Sequence, residues 1–208
     1  MKFNKLGNVI SIAKGKKHLL TESPSKSSKR LIVIDDLRND NNIKYTDNKQ
    51  GTNVDEKDLL IAWDGANAGT IGYGKTGFIG STIARLRIKD PKKYYTPFFG
   101  KFLQGKFTYL RRSATGATIP HINRKALEIL KFPVFDYEDQ IRIATLLSRA
   151  EALIAKRKES IRLLDELIKS TFLEMFGEPV RNEKGWEKKS LNELGSIDRG
   201  VSKNRPRN

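Results

Sequence analysis

Residues 138–178 read EDQIRIATLLSRAEALIAKRKESIRLLDELIKSTFLEMFGE. Within this stretch Leu147, Ile154, Ile161, Ile168 and Met175 recur at seven-residue spacing, with Ile143, Ala150 and Leu164 at the complementary heptad positions. Leu146, Leu153 and Leu167 widen the stripe. A seven-residue period is two turns of a slightly underwound helix, so these side chains share one face. The spacing predicts a long coiled-coil-type α-helix over 137–178, in which about 38 residues at 1.5 Å per residue extend about 57 Å. That length exceeds what one small domain can cover. The apolar stripe therefore calls for a second helix, from this chain, from another copy or from a different subunit. Arg157 and Thr171 interrupt the seam, and Gly177 and Pro179 supply a C-terminal stop.

Upstream of this helix the charge changes character. The chain of 208 residues carries a formal net charge of +16, and residues 75–131 hold thirteen Lys and Arg against only Asp90 and Glu128. The helical stretch, by contrast, is nearly balanced. A concentrated positive field attracts polyanions, and release of counterions from neutralised phosphates would supply much of the affinity for nucleic acid. The same bias also fits a basic surface kept for solubility.

The rest of the first 136 residues reads as a mixed α/β (α+β) domain. Leu6 to Ile12 reads as a short strand or helical turn, ending in the basic loop Lys14-Gly15-Lys16-Lys17. The runs Leu31 to Ile34 and Leu59 to Trp63 read as buried strands, each stopped by Asp. Short strands joined by tight turns are expected where Gly69, Gly72, Gly74, Gly77 and Gly80 alternate with β-branched and aromatic residues. Thr82 to Ile88 alternates Ile83, Leu86 and Ile88 with Arg85 and Arg87, a strand with a basic face. Tyr94 to Leu110 is aromatic-rich and is expected to be helical, burying Tyr95, Phe98, Phe99, Phe102 and Leu103.

Composition narrows the chemistry. The absence of cysteine excludes disulfides, thiolate zinc sites, iron-sulfur clusters and cysteine nucleophiles. With only His18 and His121, a three-histidine metal site cannot form within one chain. No metal or cofactor is expected on this chain. Met1 to Lys17 lacks the unbroken apolar core of a signal peptide, and no apolar run approaches the length of a membrane span. Cytoplasm is the expected compartment.

One motif points toward catalysis. Gly69-Thr70-Ile71-Gly72-Tyr73-Gly74-Lys75-Thr76 fits the phosphate-loop pattern G-x-x-x-x-G-K-[ST]. Such a loop needs a helix starting at its Lys-Thr, since the helix N-terminus and backbone amides hold the phosphates. Here Gly77-Phe78-Ile79-Gly80-Ser81-Thr82-Ile83 follows, which favours strand. A nucleotidase using Lys75 is thus an alternative reading, behind a Gly-rich turn suited to close approach of a DNA backbone.

Residues 111–140 form the most specific stretch. Arg111-Arg112-Ser113-Ala114-Thr115-Gly116-Ala117-Thr118-Ile119-Pro120-His121-Ile122-Asn123 leads through Leu127, Ile129 and Pro133 to Glu138-Asp139-Gln140-Ile141 at the helix start. Together with Asp58-Leu59-Leu60-Ile61-Ala62-Trp63-Asp64-Gly65-Ala66-Asn67-Ala68-Gly69, it resembles the specificity subunits of type I restriction-modification systems. The resemblance implies a non-catalytic, DNA-binding target-recognition domain followed by a spacer helix. Such subunits usually carry two units that read the halves of an interrupted double-stranded DNA sequence, their helices pairing antiparallel. Methylation subunits dock there and carry the S-adenosylmethionine chemistry, while restriction subunits carry ATP-driven, magnesium-dependent translocation and cleavage.

Charge and loop position nominate Lys14, Lys16, Lys17, Asn67, Lys75, Thr76, Arg85, Arg87, Arg111, Arg112, Ser113, Thr115, Thr118 and His121 as DNA contacts. Leu147, Ile154, Ile161, Leu164, Ile168 and Met175 are the expected partner or homodimer seam. Leu6, Val9, Ser11, Ile12, Lys14 and Gly15 also align with Leu191, Leu194, Ser196, Ile197, Arg199 and Gly200. The expected division is a recognition domain over 1–136, the helix over 137–178, and the start of a truncated second unit over 179–208, as in a half subunit or a fragment. A helical interaction protein without sequence readout is the remaining alternative.

Overall fold

The computed structural model describes residues 2–116, 118–196 and 200. In chain order the elements are β1 (Phe3–Lys5), α1 (Leu6–Val9), β2 (Ile10–Lys14), β3 (Lys29–Ile32), a 3-10 turn (Ile34–Leu37), β4 (Lys44–Thr46), β5 (Asn53–Val54), β6 (Leu59–Ala62), β7 (Ile71–Tyr73), β8 (Gly77–Ile79) and β9 (Ile83–Ile88). Then come α2 (Thr96–Gln104), α3 (Phe107–Arg112), α4 (Arg124–Ile129), β10 (Lys131–Pro133), α5 (Tyr137–Phe176) and α6 (Leu191–Leu194). The chain divides into two compact units, Met1–Glu151 and Ala152–Asn208, and α5 runs through the division. Mixed sheets, short helices and one long helix make up the α+β class expected from the sequence.

In the first unit an antiparallel sheet of order β2-β9-β6-β7 stands beside a mixed sheet of order β4-β3-β8-β5. All four residues of β6 are buried because successive side chains point to opposite faces. Leu59 and Ile61 enter a core with Leu6, Val9, Leu86, Phe99 and Phe132. Leu60 and Ala62 enter a second core with Ile32, Ile79 and Ile83. The unbroken apolar run of the sequence is thus a strand packed on both sides, each large side chain contributing about 1.5–3 kcal/mol on full burial.

Two sequence expectations need adjustment. The apolar run from Leu31 ends its ladder at Ile32, because the Asp36 carboxylate accepts a hydrogen bond from the Val33 amide at 2.7 Å and turns the chain into 3-10 geometry. The Tyr94 to Leu110 segment is two helices rather than one. Gly105 ends α2, its amide donating back to the Lys101 carbonyl at 3.0 Å, and the chain restarts as α3. Phe98, Phe99 and Leu103 are buried as expected, whereas Tyr95 and Phe102 lie only partly inside.

Helix α5 opens with Glu138 and Asp139 in its first turn, where carboxylates complement the helix dipole. Gln140, 2% exposed, fixes this end. Its Oε1 accepts from the Tyr95 amide at 2.9 Å, and its Nε2 donates to the carbonyls of Lys93 and Phe135 at 3.0 and 2.9 Å. In the second unit the helix ends at Gly177, whose φ of 76° favours glycine. The Lys184 ammonium donates to the Glu174 and Met175 carbonyls, and the Trp186 indole donates to the Phe176 carbonyl at 2.8 Å. Leu147, Ile154, Ile161, Leu164, Ile168 and Met175 are all between 44% and 67% exposed.

The sequence repeat has a local structural counterpart. Leu6–Val9 and Leu191–Leu194 each form a single helical turn. Leu6 and Val9 are buried, whereas Leu191 and Leu194 are exposed. The aligned Ile197 and Arg199 lie outside the described residues.

Candidate nucleic-acid interface

Strand order brings the first loops together. Both β2 and β6 pair antiparallel to β9, so their C-terminal ends lie beside the start of that strand: Lys14 faces Ala84 and Ala62 faces Ile83. Two residues beyond β6, Asp64 accepts an ion pair from Lys14, Nζ to Oδ2 at 2.6 Å. The segment 113–122 is then laced onto the same place. The amide of Ile122 donates to the Trp63 carbonyl and that of Gly65 to the Pro120 carbonyl, both at 2.9 Å. Thr115 and His121 exchange two backbone hydrogen bonds, at 2.9 and 2.7 Å, closing the loop at its base. Gly116, at φ 93°, lets that loop turn, since a Cβ there would lie 2.3 Å from the Ile119 carbonyl oxygen.

The side chains converge in turn on Asp64 and its neighbours. His121 Nδ1 lies 2.6 Å from Asp64 Oδ1. The Arg111 guanidinium donates to the Ala66 carbonyl, and Arg38 Nη2 donates to Asn67 Oδ1 at 2.7 Å. Burial pushes the Asp64 carboxyl upward, but hydrogen bonds from His121 and Lys14 outweigh it and hold the group below its ordinary range. Hence Asp64 is an anion flanked by cations and amide-bearing loops, and Arg112, Thr115, Thr118 and His121 are each exposed. Such a set offers hydrogen-bond donors to phosphates and polar groups to base edges.

Of the nominated contacts, Lys14, Asn67, Arg111, Thr115 and His121 therefore belong to one cluster. Lys16 and Lys17 are exposed on the strap after β2, and Thr118 on the loop tip. Ser113 is spent on α3, its hydroxyl donating to the Leu110 carbonyl at 3.1 Å. Arg85 and Arg87 do not form the open basic face that the alternation implied. Arg85 donates to the Asn53 carbonyl at 2.7 Å, and Arg87 is bound by Asp58 and Asp55. Sequence reading missed Arg38 and Asp64. An Asp before Gly reads as a turn residue, and no spacing announces partners fifty residues away in either direction.

The phosphate-loop spelling folds differently from a phosphate loop. Ile71–Tyr73 and Gly77–Ile79 are strands of different sheets, with Lys75 and Thr76 on the turn between them. Lys75 Nζ pairs with Asp40 Oδ1 at 2.6 Å, and the amides of Gly69 and Thr70 donate to Ala62 and Asn67 carbonyls. No helix begins there to gather phosphate oxygens. Among the described residues no cluster of His, Asp and Glu could hold a metal ion, and no helix is long and apolar enough to cross a membrane.

Residues 1–163 match the family model of the type I restriction modification DNA specificity domain, and the chain belongs to that family. It is 33% identical over 141 residues to the type I restriction enzyme MjaVIII specificity subunit of Methanocaldococcus jannaschii, covering 68% of this chain and 33% of that protein. The MjaIX specificity subunit of the same organism is 30% identical over 109 residues, covering 44% and 25%. The fold is similar to the HsdS subunit from Thermoanaerobacter tengcongensis, with TM-score 0.56 at 19% identity over 76% of this chain and 39% of that one. A chain from a structure on complex assembly and conformational transition of the type I R-M system gives TM-score 0.64 at 19% identity, covering 82% and 43%. This chain thus spans a third or less of the curated relatives it matches.

Proposed function

We propose that this chain is the DNA-reading component of a type I restriction-modification complex and recognises one half of a bipartite duplex sequence. The observation that carries the reading is the convergence of Lys14, Asn67, Arg111, Thr115 and His121 on one loop cluster in a chain of this family. Phosphate contacts from the lysines and arginines would set orientation, and the amide, hydroxyl and imidazole groups would face base edges. Residues 1–136 act as the recognition domain and 137–178 as spacer and docking helix, with 179–208 opening a second unit. The exposed stripe from Leu147 to Met175 supports docking of methylation and restriction subunits and pairing with a second copy. Two copies related by a twofold axis would favour a symmetric, interrupted site. The chemistry belongs to the partners: S-adenosylmethionine on the methylation subunit, ATP and magnesium on the restriction subunit.

The test is selection of random duplexes by the chain co-purified with its methylation subunit. Enrichment of a two-part motif with a fixed gap is the expected result. Duplex binding without enrichment would leave a basic interaction protein, and no duplex binding would remove the DNA reading altogether.

A further inference from the structure

We infer that Asp64, although an acid on a face meant for a polyanion, is a positioning residue for DNA binding, acting through Lys14 and His121. This rests on the DNA-reading function proposed above and names the residue that organises it.

Three observations converge. The Asp64 side chain is only 15% exposed, whereas those of Lys14 and His121 are 51% and 47% exposed, so the carboxylate lies behind the groups it holds. Its two oxygens are divided between them: Oδ2 takes the Lys14 ammonium and Oδ1 takes His121 Nδ1, each at 2.6 Å. The three residues come from three separate segments, the end of β2, the turn after β6 and the loop closed by Thr115 and His121. Backbone hydrogen bonds already lace the His121 loop to the Asp64 turn, and the one carboxylate adds to that frame by orienting the imidazole and tethering the Lys14 ammonium beside it.

The chemistry gives each donor a distinct use. Lysine is a flexible point charge, and tethering its ammonium before the duplex arrives removes much of the ordering cost of a phosphate contact. For the imidazole, a carboxylate at Nδ1 keeps the proton on that nitrogen in the neutral ring. Nε2 is then left as an acceptor for an N–H on a base edge, and as a second donor toward phosphate when the ring is charged. Arg38 and Arg111 do not share this dependence, because their bonds go to Asn67 and to the Ala66 carbonyl.

The expected effect of removing Asp64 is opposite in sign to simple electrostatics. Removing a negative charge from a basic face should strengthen binding to duplex DNA. Acting as a positioning residue, Asp64 should instead be needed: Asp64→Ala weakens binding to a fluorescein-labelled random-sequence duplex about five- to tenfold at low salt, and the slope of log affinity against log salt falls by about one. Asp64→Asn, which keeps one acceptor oxygen and the shape, lies between wild type and Asp64→Ala and serves where the alanine variant folds poorly. In a Lys14→Ala, His121→Ala background, Asp64→Asn produces no further loss, since the groups it acts through are gone. Thermal melts confirm that the compared variants are folded. Tighter binding with an unchanged or steeper salt slope in both Asp64 variants overturns the inference while leaving the DNA reading intact. So does an equal further loss in the doubly substituted background, which would mean that Asp64 acts elsewhere. If the wild-type chain with its methylation subunit fails to bind duplex at any salt, the DNA reading falls and this inference with it.

Discussion

Arg87 grips Asp58 with two parallel hydrogen bonds, Nε to Oδ1 at 2.7 Å and Nη2 to Oδ2 at 2.6 Å, over a carboxylate that is 1% exposed. The pair joins the C-terminal end of β9 to the residue before β6, and Asp58 Oδ2 also accepts from the Asp55 amide at 3.0 Å. Removing the arginine would strand a buried anion, which costs about 3–5 kcal/mol when both partners are fully enclosed. Because Arg87 is partly in water, the expected loss for Arg87→Ala is nearer about 2 kcal/mol. Urea unfolding at unchanged slope measures it, and duplex affinity of the folded fraction should stay at the wild-type value. An affinity loss without a stability loss would return Arg87 to the DNA face.

Gln140 gives a second prediction. All three of its hydrogen bonds end on backbone groups of the segments around α2 and before α5, and the side chain is buried. Gln140→Leu keeps the volume but leaves one amide and two carbonyls without their partner. At about 1 kcal/mol or more for each buried group left unsatisfied, the expected destabilisation is about 3 kcal/mol. A thermal melt within a degree of wild type would show that water replaces the amide without loss. The Glu-x-Gln step in the first turn of α5 is on this reading a structural clasp rather than a DNA contact.

What could be read from sequence follows the range of the forces involved. The period of α5 and the doubly buried run of β6 were legible because hydrophobic spacing is local and repeats along the chain. The break between α2 and α3 had a local marker in Gly105 that the surrounding aromatic residues outweighed. The Asp64 cluster and the Arg87 pair were illegible, since their partners come from strands, turns and loops far apart in sequence that only the sheet order brings together. At Lys75 a motif and the local propensities disagree, and the propensities decide. Its neighbours spell a phosphate loop letter by letter, yet β-branched and glycine residues on both sides make strands, and strand geometry decides what the amides can bind.

Acid should loosen the segment after β2. The His18 ring stacks on Phe78 with centroids 5.4 Å apart, and among the described residues neither ring nitrogen has a hydrogen-bond partner. Burial, and then the nearby Lys16 charge, hold its pKa below the ordinary 6.5. A histidine depressed in the folded state binds its proton more readily when unfolded, so the neutral ring contributes stability above pH 6.5 that is lost as pH falls through the folded value. The Asp64 carboxyl, also depressed, adds a loss in the same direction at lower pH. His18→Phe should flatten the first part of this decline, leaving the carboxylate part. Stability measured from pH 7.5 downward checks it, and an unchanged profile in the variant would assign the decline to other groups.

The stripe on α5 should matter for association and not for folding of the chain itself. Ile161 and Leu164 are 60% and 56% exposed, and the neighbouring turn is held by the Arg162 pairs with Glu159 and Glu166 within the helix. Replacing both apolar residues with glutamate removes little buried surface, so helicity and melting temperature should barely change. In a paired seam, however, each Ile or Leu is worth about 1.5–3 kcal/mol on burial, and a glutamate there would also be desolvated. Two such losses weaken association by at least about a hundredfold, taking about 1.4 kcal/mol per tenfold. Sedimentation of the chain alone and co-purification with the methylation subunit separate the two proposed occupants of the face. Loss of self-association alone identifies a second copy, loss of co-purification alone identifies the methylation subunit, and unchanged behaviour in both would mean that the stripe is not a docking surface.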